Sequence, residues 1–171
     1  MIDQLKLLAA RLQDAEYLHV FLETFPLYGI LFGTLFFVLA FVLKDAKIQM
    51  VGLGVIFVAA LMSWPQLKNR SLAEPHMKEV RSAEYGKRIE EQTLRRSSVQ
   101  WAYFVLAVGC VLTFVTKKSK AGPLVLGLTV AGAGACVLLS AWLHMKEAEI
   151  LHPNINLGPG VDVKVLPKGR L

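Results

Sequence analysis

Apolar and polar positions alternate along this chain in long blocks. Apolar runs occupy residues 23–43, 48–65, 99–116 and 122–143. A helix needs about 20 apolar residues to cross ~30 Å of hydrocarbon, and each run meets or nearly meets that length. None contains Lys, Arg or Asp, and the one acid is Glu23, at the start of the first run. The pattern predicts an all-α membrane protein, an antiparallel bundle of four transmembrane helices. The first run follows a segment of mixed charge and precedes Lys44-Asp45-Ala46-Lys47 and another span. It therefore reads as a retained helix and not as a cleaved signal.

The remaining segments read as follows. Within residues 1–22, Ile2, Leu5, Leu8, Ala9 and Leu12 recur at helical spacing, with Asp3, Lys6, Arg11 and Asp14 elsewhere. This predicts an N-terminal amphipathic helix that lies flat at the headgroups or docks on a partner. In the central loop, 66–98, Ser71-Leu72-Ala73-Glu74 fits a capping box, and Pro75 follows. Met77, Val80, Ile89 and Leu94 are spaced for one weakly apolar face. The expectation is a helix from His76 into the third span through Arg95, Arg96 and Trp101, with Gly86 as its possible break. Glu84 and Arg88 read as a solvated pair. Residues 144–171 are predicted to be an extramembrane tail. Its last part, 153–171, holds three prolines and three glycines without periodicity. Such a segment is unstructured alone and needs a partner, or the bundle itself, to hold it.

Charge sets the topology. An even number of spans puts both termini and the central loop on one face. That face carries fourteen of the nineteen Lys and Arg, and twelve of the thirteen acids. The opposite face has only the turns around Lys44 and Lys47 and around Lys117, Lys118 and Lys120. The count favours cytoplasmic termini. The spans take up about half of the 171 residues, which leaves one membrane domain and no second globular one. The net charge of +6 is spread along loops beside the membrane, so anionic lipid headgroups are the expected partner and nucleic acid is not.

Small residues mark helix contacts. Gly29-x-x-x-Gly33 lies on one face of the first span. Gly127, Ala131 and Ala135 form a stripe on the fourth, with Gly132, Cys136 and Ser140 beside it. Such faces let backbones approach closely, either within the bundle or against another subunit. Phe32, Phe36 and Phe37 are expected opposite the glycine face, towards lipid or a partner. Cys110 and Cys136 lie mid-span with no CxxC spacing and read as small buried residues.

Candidate chemistry collects on the terminal face, which holds His19, His76, His144 and His152. His19 opens the first span and His144 closes the fourth, so a compact bundle could bring them together. Glu23 is one turn after His19, and Glu147 and Glu149 follow His144. The sequence leaves four readings open. These are interfacial residues satisfied by hydrogen bonds, haem b between His19 and His144, a metal on His19, Glu23 and His144, and a proton or quinone-headgroup site at Glu23. No motif has the specificity of a zinc signature, so no resident metal is expected. Glu23, His76 and His152 remain polar membrane-edge candidates.

The stretch Leu18-His19-Val20-Phe21-Leu22-Glu23-Thr24-Phe25-Pro26-Leu27 resembles the opening of an uncharacterised family of bacterial four-helix membrane proteins. The first span of that family begins with a pattern like H-P-x-x-V-H-F-P, its third is entered by I-E-x-H-E, and its fourth often ends in G-W-L-G-G-E. Here Ile89-Glu90-Glu91-Gln92 stands at the third and Ala141-Trp142-Leu143-His144 at the fourth. The resemblance covers residues 18–152 and implies the four-helix fold. Thr24 and Gln92 occupy two of the family's histidine positions, and neither type ligates haem iron effectively. The resemblance thus implies a bundle kept and a cofactor site lost.

The expected function is a non-catalytic accessory subunit of a larger bacterial electron-transfer complex, respiratory or photosynthetic, with no intrinsic cofactor. Its partners would be other membrane subunits and any pigments or quinone they hold, and its location the bacterial inner membrane. One alternative is a small b-type cytochrome using His19 and His144. Another is a small transporter, against which the spans offer Thr34, Thr113, Thr129 and Ser140 but no mid-membrane charge.

Overall fold

The computed structural model describes residues 13–79 and 83–151. The N-terminal amphipathic segment up to residue 12, Val80, His152 and the tail from 153 onward lie outside the described residues. Helix α1 is Ala15–Thr24, and a π-helical turn, Phe25–Gly29, joins it to α2, Ile30–Leu43. These three form one rod. Then come α3, Ala46–Glu79, α4, Ala83–Thr116, and α5, Gly122–Leu151. Among the described residues four helices are long and apolar enough to cross a membrane, and the chain is a membrane-embedded helical bundle. Each helix packs on its neighbour in sequence, and α5 also meets α2 and the π-helical turn, closing the ring.

The turn between α2 and α3 is short because its residues cap both ends. Lys44 takes the left-handed conformation, with φ 55°, the usual way a helix C-terminus is stopped. The next side chain starts the following helix, since Asp45 Oδ1 accepts the N–H groups of Lys47 at 2.7 Å and Ile48 at 3.2 Å.

The bundle core is a seam of side chains at alternating three- and four-residue spacing. On α3 the buried positions are Gly52, Leu53, Ile56, Ala59, Ala60, Ser63, Gln66, Arg70 and Ala73. On α5 they include Thr129, Ala133, Cys136, Ser140, Leu143 and Glu147. This is the periodicity that packs near-antiparallel helices. Cys110 and Cys136 are both free and buried, as expected. Phe32 and Phe36 face outward, but Phe37 is only 4% exposed and belongs to the core. Its backbone lies against Gly52, so it cannot share the outward face of the other two.

The central loop departs from its predicted form. Among the described residues no helix begins after the capping box at His76. Instead α3 runs on through Pro65 and Pro75, and α4 starts at Ala83. Ser71 Oγ bonds back to the carbonyl of Leu67 at 3.1 Å, which is the behaviour of a mid-helix serine and not of an N-cap. Gly86 does not break α4. It is buried where α4 meets α3, and a Cβ there would lie 3.3 Å from Lys78 Cγ. The first part of the expected tail is helical, because α5 runs to Leu151.

Each 34-residue helix is roughly 50 Å long at about 1.5 Å per residue, well beyond ~30 Å of hydrocarbon. Tryptophans show where it emerges. Trp64, Trp101 and Trp142 are all exposed, on three different helices. Lys68 sits over the Trp64 ring at 5.8 Å and Arg95 over the Trp142 ring at 5.5 Å. Tryptophan with a basic residue just outside it is the usual mark of a membrane–water interface. From Trp101 to Lys117, on the opposite face, roughly 24 Å of helix passes at about 1.5 Å per residue.

Candidate functional site

At the tryptophan level and just outside it, the core seam stops being apolar. Every rod contributes polar side chains to one buried layer. His19 and Glu23 come from α1, and Gln66 and Arg70 from α3. Gln92, Thr93, Arg96 and Tyr103 come from α4, and Ser140 and Glu147 from α5. Arg70 is fully buried.

Two arginines and two glutamates balance within this layer. Arg70 donates from Nε to Thr93 Oγ1 at 3.0 Å and from Nη1 to Glu147 Oε1 at 3.0 Å. The same Nη1 lies 3.5 Å from His19 Nε2. Arg96 Nη2 donates to Glu23 Oε1 and reaches Glu147 Oε2 at 3.5 Å. Glu147 thus links both guanidiniums. Thr93 fixes its own hydroxyl by donating to the Ile89 carbonyl at 3.0 Å. Such pairing is what permits charges to be buried at all.

The histidines share Glu23. His144 Nδ1 lies 3.6 Å from its Oε1, and His19 Nε2 lies 4.0 Å from its Oε2. The structure therefore brings His19, Glu23 and His144 together, with Arg70 and Arg96 beside them. His76 is exposed on the outer part of α3, away from this layer, and His152 lies outside the described residues. The π-helical turn begins two residues after Glu23. Pro26, inside that turn, has no N–H to give, and the wider turn accommodates it. Single π turns recur at functional positions in helices, and Pro26 lines the small cavity of this site.

That cavity is about 10 Å³, bordered by Glu23, Gln66, Arg96, Tyr103, Ser140 and His144. It has room for one water. Glu23 and the arginines occupy the space around the imidazoles, and a macrocycle does not fit this arrangement. No group of three or more His, Cys, Asp or Glu is disposed to hold a metal among the described residues.

Below the charges the layer continues as neutral pairs. Gln100 donates to Ser63 Oγ at 3.1 Å, and the Tyr103 and Ser140 hydroxyls are hydrogen-bonded to each other at 2.7 Å. Gln92 is fully buried and donates to the Leu143 carbonyl at 2.9 Å. Thr24 is exposed and donates to the Phe21 carbonyl at 3.2 Å. Interhelical hydrogen bonds in membrane proteins average about 0.6 kcal/mol and reach ~1.7. Tyr103→Phe and Ser140→Ala should therefore each cost about 1 kcal/mol, and the double variant no more than either alone. Unfolding of the detergent-solubilised protein measures this, and additive losses would mean the pair is not formed.

The small-residue faces divide. Gly29 and Gly33 face α3, where a Cβ at Gly29 would lie 2.5 Å from Ala59 Cβ. The stripe on α5 faces away from the bundle. Gly127, Ala131 and Ala135 are exposed, and a Cβ at Gly127 would meet nothing within 4 Å. Beside it runs a groove of about 430 Å³ between α4 and α5, lined by Trp101, Val105, Gly109, Leu128 and Gly132.

Comparison with known proteins yields no match to any family model, curated protein or solved structure.

Proposed function

We propose that this chain is a non-catalytic integral membrane subunit that packs against other subunits of a larger bacterial complex. The observation that carries this reading is the outward stripe of α5. A face of Gly and Ala gives lipid little to hold, but it lets a second helix come close. The groove beside it offers room for larger side chains of such a helix. The buried charged layer supports the same reading, since its groups are spent on one another across all the rods. It acts as a lock that fixes helix register.

Within this proposal the complex is one of electron transfer, the membrane is the bacterial inner membrane, and the termini are cytoplasmic, as the distribution of Lys and Arg favours. The test is a native gel of gently solubilised membranes, with a visible spectrum of the same band. The unaltered chain should migrate far above its own 18.9 kDa. Ala131→Leu should migrate near that mass with an unchanged unfolding midpoint, because Ala131 is exposed in the bundle. A complex indifferent to Ala131→Leu would remove the stripe from the assembly. A Soret band of the isolated chain that vanishes in His19→Ala would make it a cytochrome instead.

A further inference from the structure

The opposite end of the bundle, by the lysine-rich turns, is built differently. Here the helices part around a cavity of about 300 Å³, the lower end of the range that holds small ligands. Its walls are apolar and come from every rod: Phe37 and Phe41 of α2, Leu53 of α3, Phe114 of α4 and Leu126 of α5, with Lys117 also lining it.

A second trough of about 190 Å³ shares Met50, Leu53 and Phe114 with the first. It follows the seam between α3 and α4 past Gly54 to Cys110. A Cβ at Gly54 would meet nothing within 4 Å, so the missing side chain deepens the trough. The two apolar volumes therefore adjoin as two prongs across shared walls, with Lys117 lining the first.

The charge around it has one sign. Lys44, Lys47, Lys117, Lys118 and Lys120 crowd these turns, and Asp45 is the one acid among them. Asp45 is already spent on the N–H groups of Lys47 and Ile48. Basic residues at a membrane surface attract anionic headgroups.

We propose that this end of the bundle holds one two-chain anionic lipid of the bilayer. One acyl chain fills the inter-helix cavity, the other lies in the α3–α4 seam, and the phosphate rests at Lys117. A single-chain amphiphile would leave one prong unfilled, and a zwitterionic lipid would bring its own cation to the lysines.

Native mass spectrometry of the full chain tests this. The detergent-solubilised protein is supplied with equal amounts of phosphatidylglycerol, phosphatidylcholine and lysophosphatidylglycerol. One phosphatidylglycerol should be retained, about five-fold over each of the others. Lys117→Gln should bring it down to the level of phosphatidylcholine. Gly54→Leu, which enters open space and leaves the fold intact, should bring it down to the level of the lysolipid. Equal retention of the three lipids by the unaltered chain would overturn the proposal. So would preferential retention untouched by both substitutions, and a silent Gly54→Leu beside an effective Lys117→Gln would overturn the two-chain placement.

Discussion

Arg70→Met is expected to destabilise the bundle by about 3–5 kcal/mol, the usual consequence of breaking a buried ion pair from one side. The guanidinium is fully buried and serves Thr93, Glu147 and the neighbourhood of His19 at once. Without it Glu147, whose side chain is 8% exposed, keeps only Arg96 at 3.5 Å. The charge that remains costs more than the contact that is lost. Glu147→Leu should be costly for the mirror reason, since it strands Arg70. Removing both charges together should recover most of the loss, because apolar groups of similar volume replace a buried pair at little cost. The coupling between the two sites, read from a double-variant cycle of unfolding in detergent, should be about as large as one single loss, at or above the top of the usual ~0.5–3 kcal/mol. Additive single losses would show that the pair contributes nothing as a pair. Arg70→Lys should still lose stability, since an ammonium cannot reproduce the planar fork that reaches Thr93 and Glu147 together.

The cost of these charges also explains what could be read beforehand. The spans were legible because hydropathy over a window near 20 residues needs no knowledge of the fold. The layer was legible only at its inner edge, at His19, Glu23 and His144, which adjoin apolar runs. Arg70, Gln92 and Arg96 lie in a stretch rich in charge, where most such residues face water, as Glu84 and Arg88 do. A signal was nevertheless present. The spacing that buries Ile56, Ala59 and Ser63 continues outward to Gln66 and Arg70. On α4 the same continuation links Tyr103 to Arg96, Gln92 and Ile89. Polar residues on the extension of a core seam are candidates for burial even past the end of the apolar run. The capping box misled for a related reason: four residues can match an N-terminus without the helix stopping, and only the neighbouring helix decides. The outward face of Gly127, Ala131 and Ala135 was not legible, since a small-residue stripe fixes closeness but not the partner.

A close crossing of two backbones yields the other large effect. Where α2 crosses α3, Gly33 and Gly52 meet backbone to backbone. A Cβ at Gly33 would lie 2.7 Å from Ile56 Cγ1, 2.9 Å from Ile56 N and 3.0 Å from the Gly52 carbonyl oxygen. A Cβ at Gly52 would lie 2.9 Å from both the Gly33 carbonyl oxygen and Phe37 N. The side chain of Ile56 could yield, but the other atoms are main-chain atoms of two helices, and relief requires the helices to separate. Gly33→Leu and Gly52→Leu should therefore exceed the usual ~1–3 kcal/mol of overpacking. Separation would also open the core at Phe37 and Ile56, which are 4% and 1% exposed. Gly54 supplies the control on the same helix, because a side chain there enters open space. Gly54→Ala should be neutral or gain up to about 1 kcal/mol from the lower backbone freedom of alanine. Thermal unfolding in detergent reads all three. A tolerated leucine at Gly52 would mean that α2 and α3 do not cross there, and the order of the bundle would have to be redrawn around another contact.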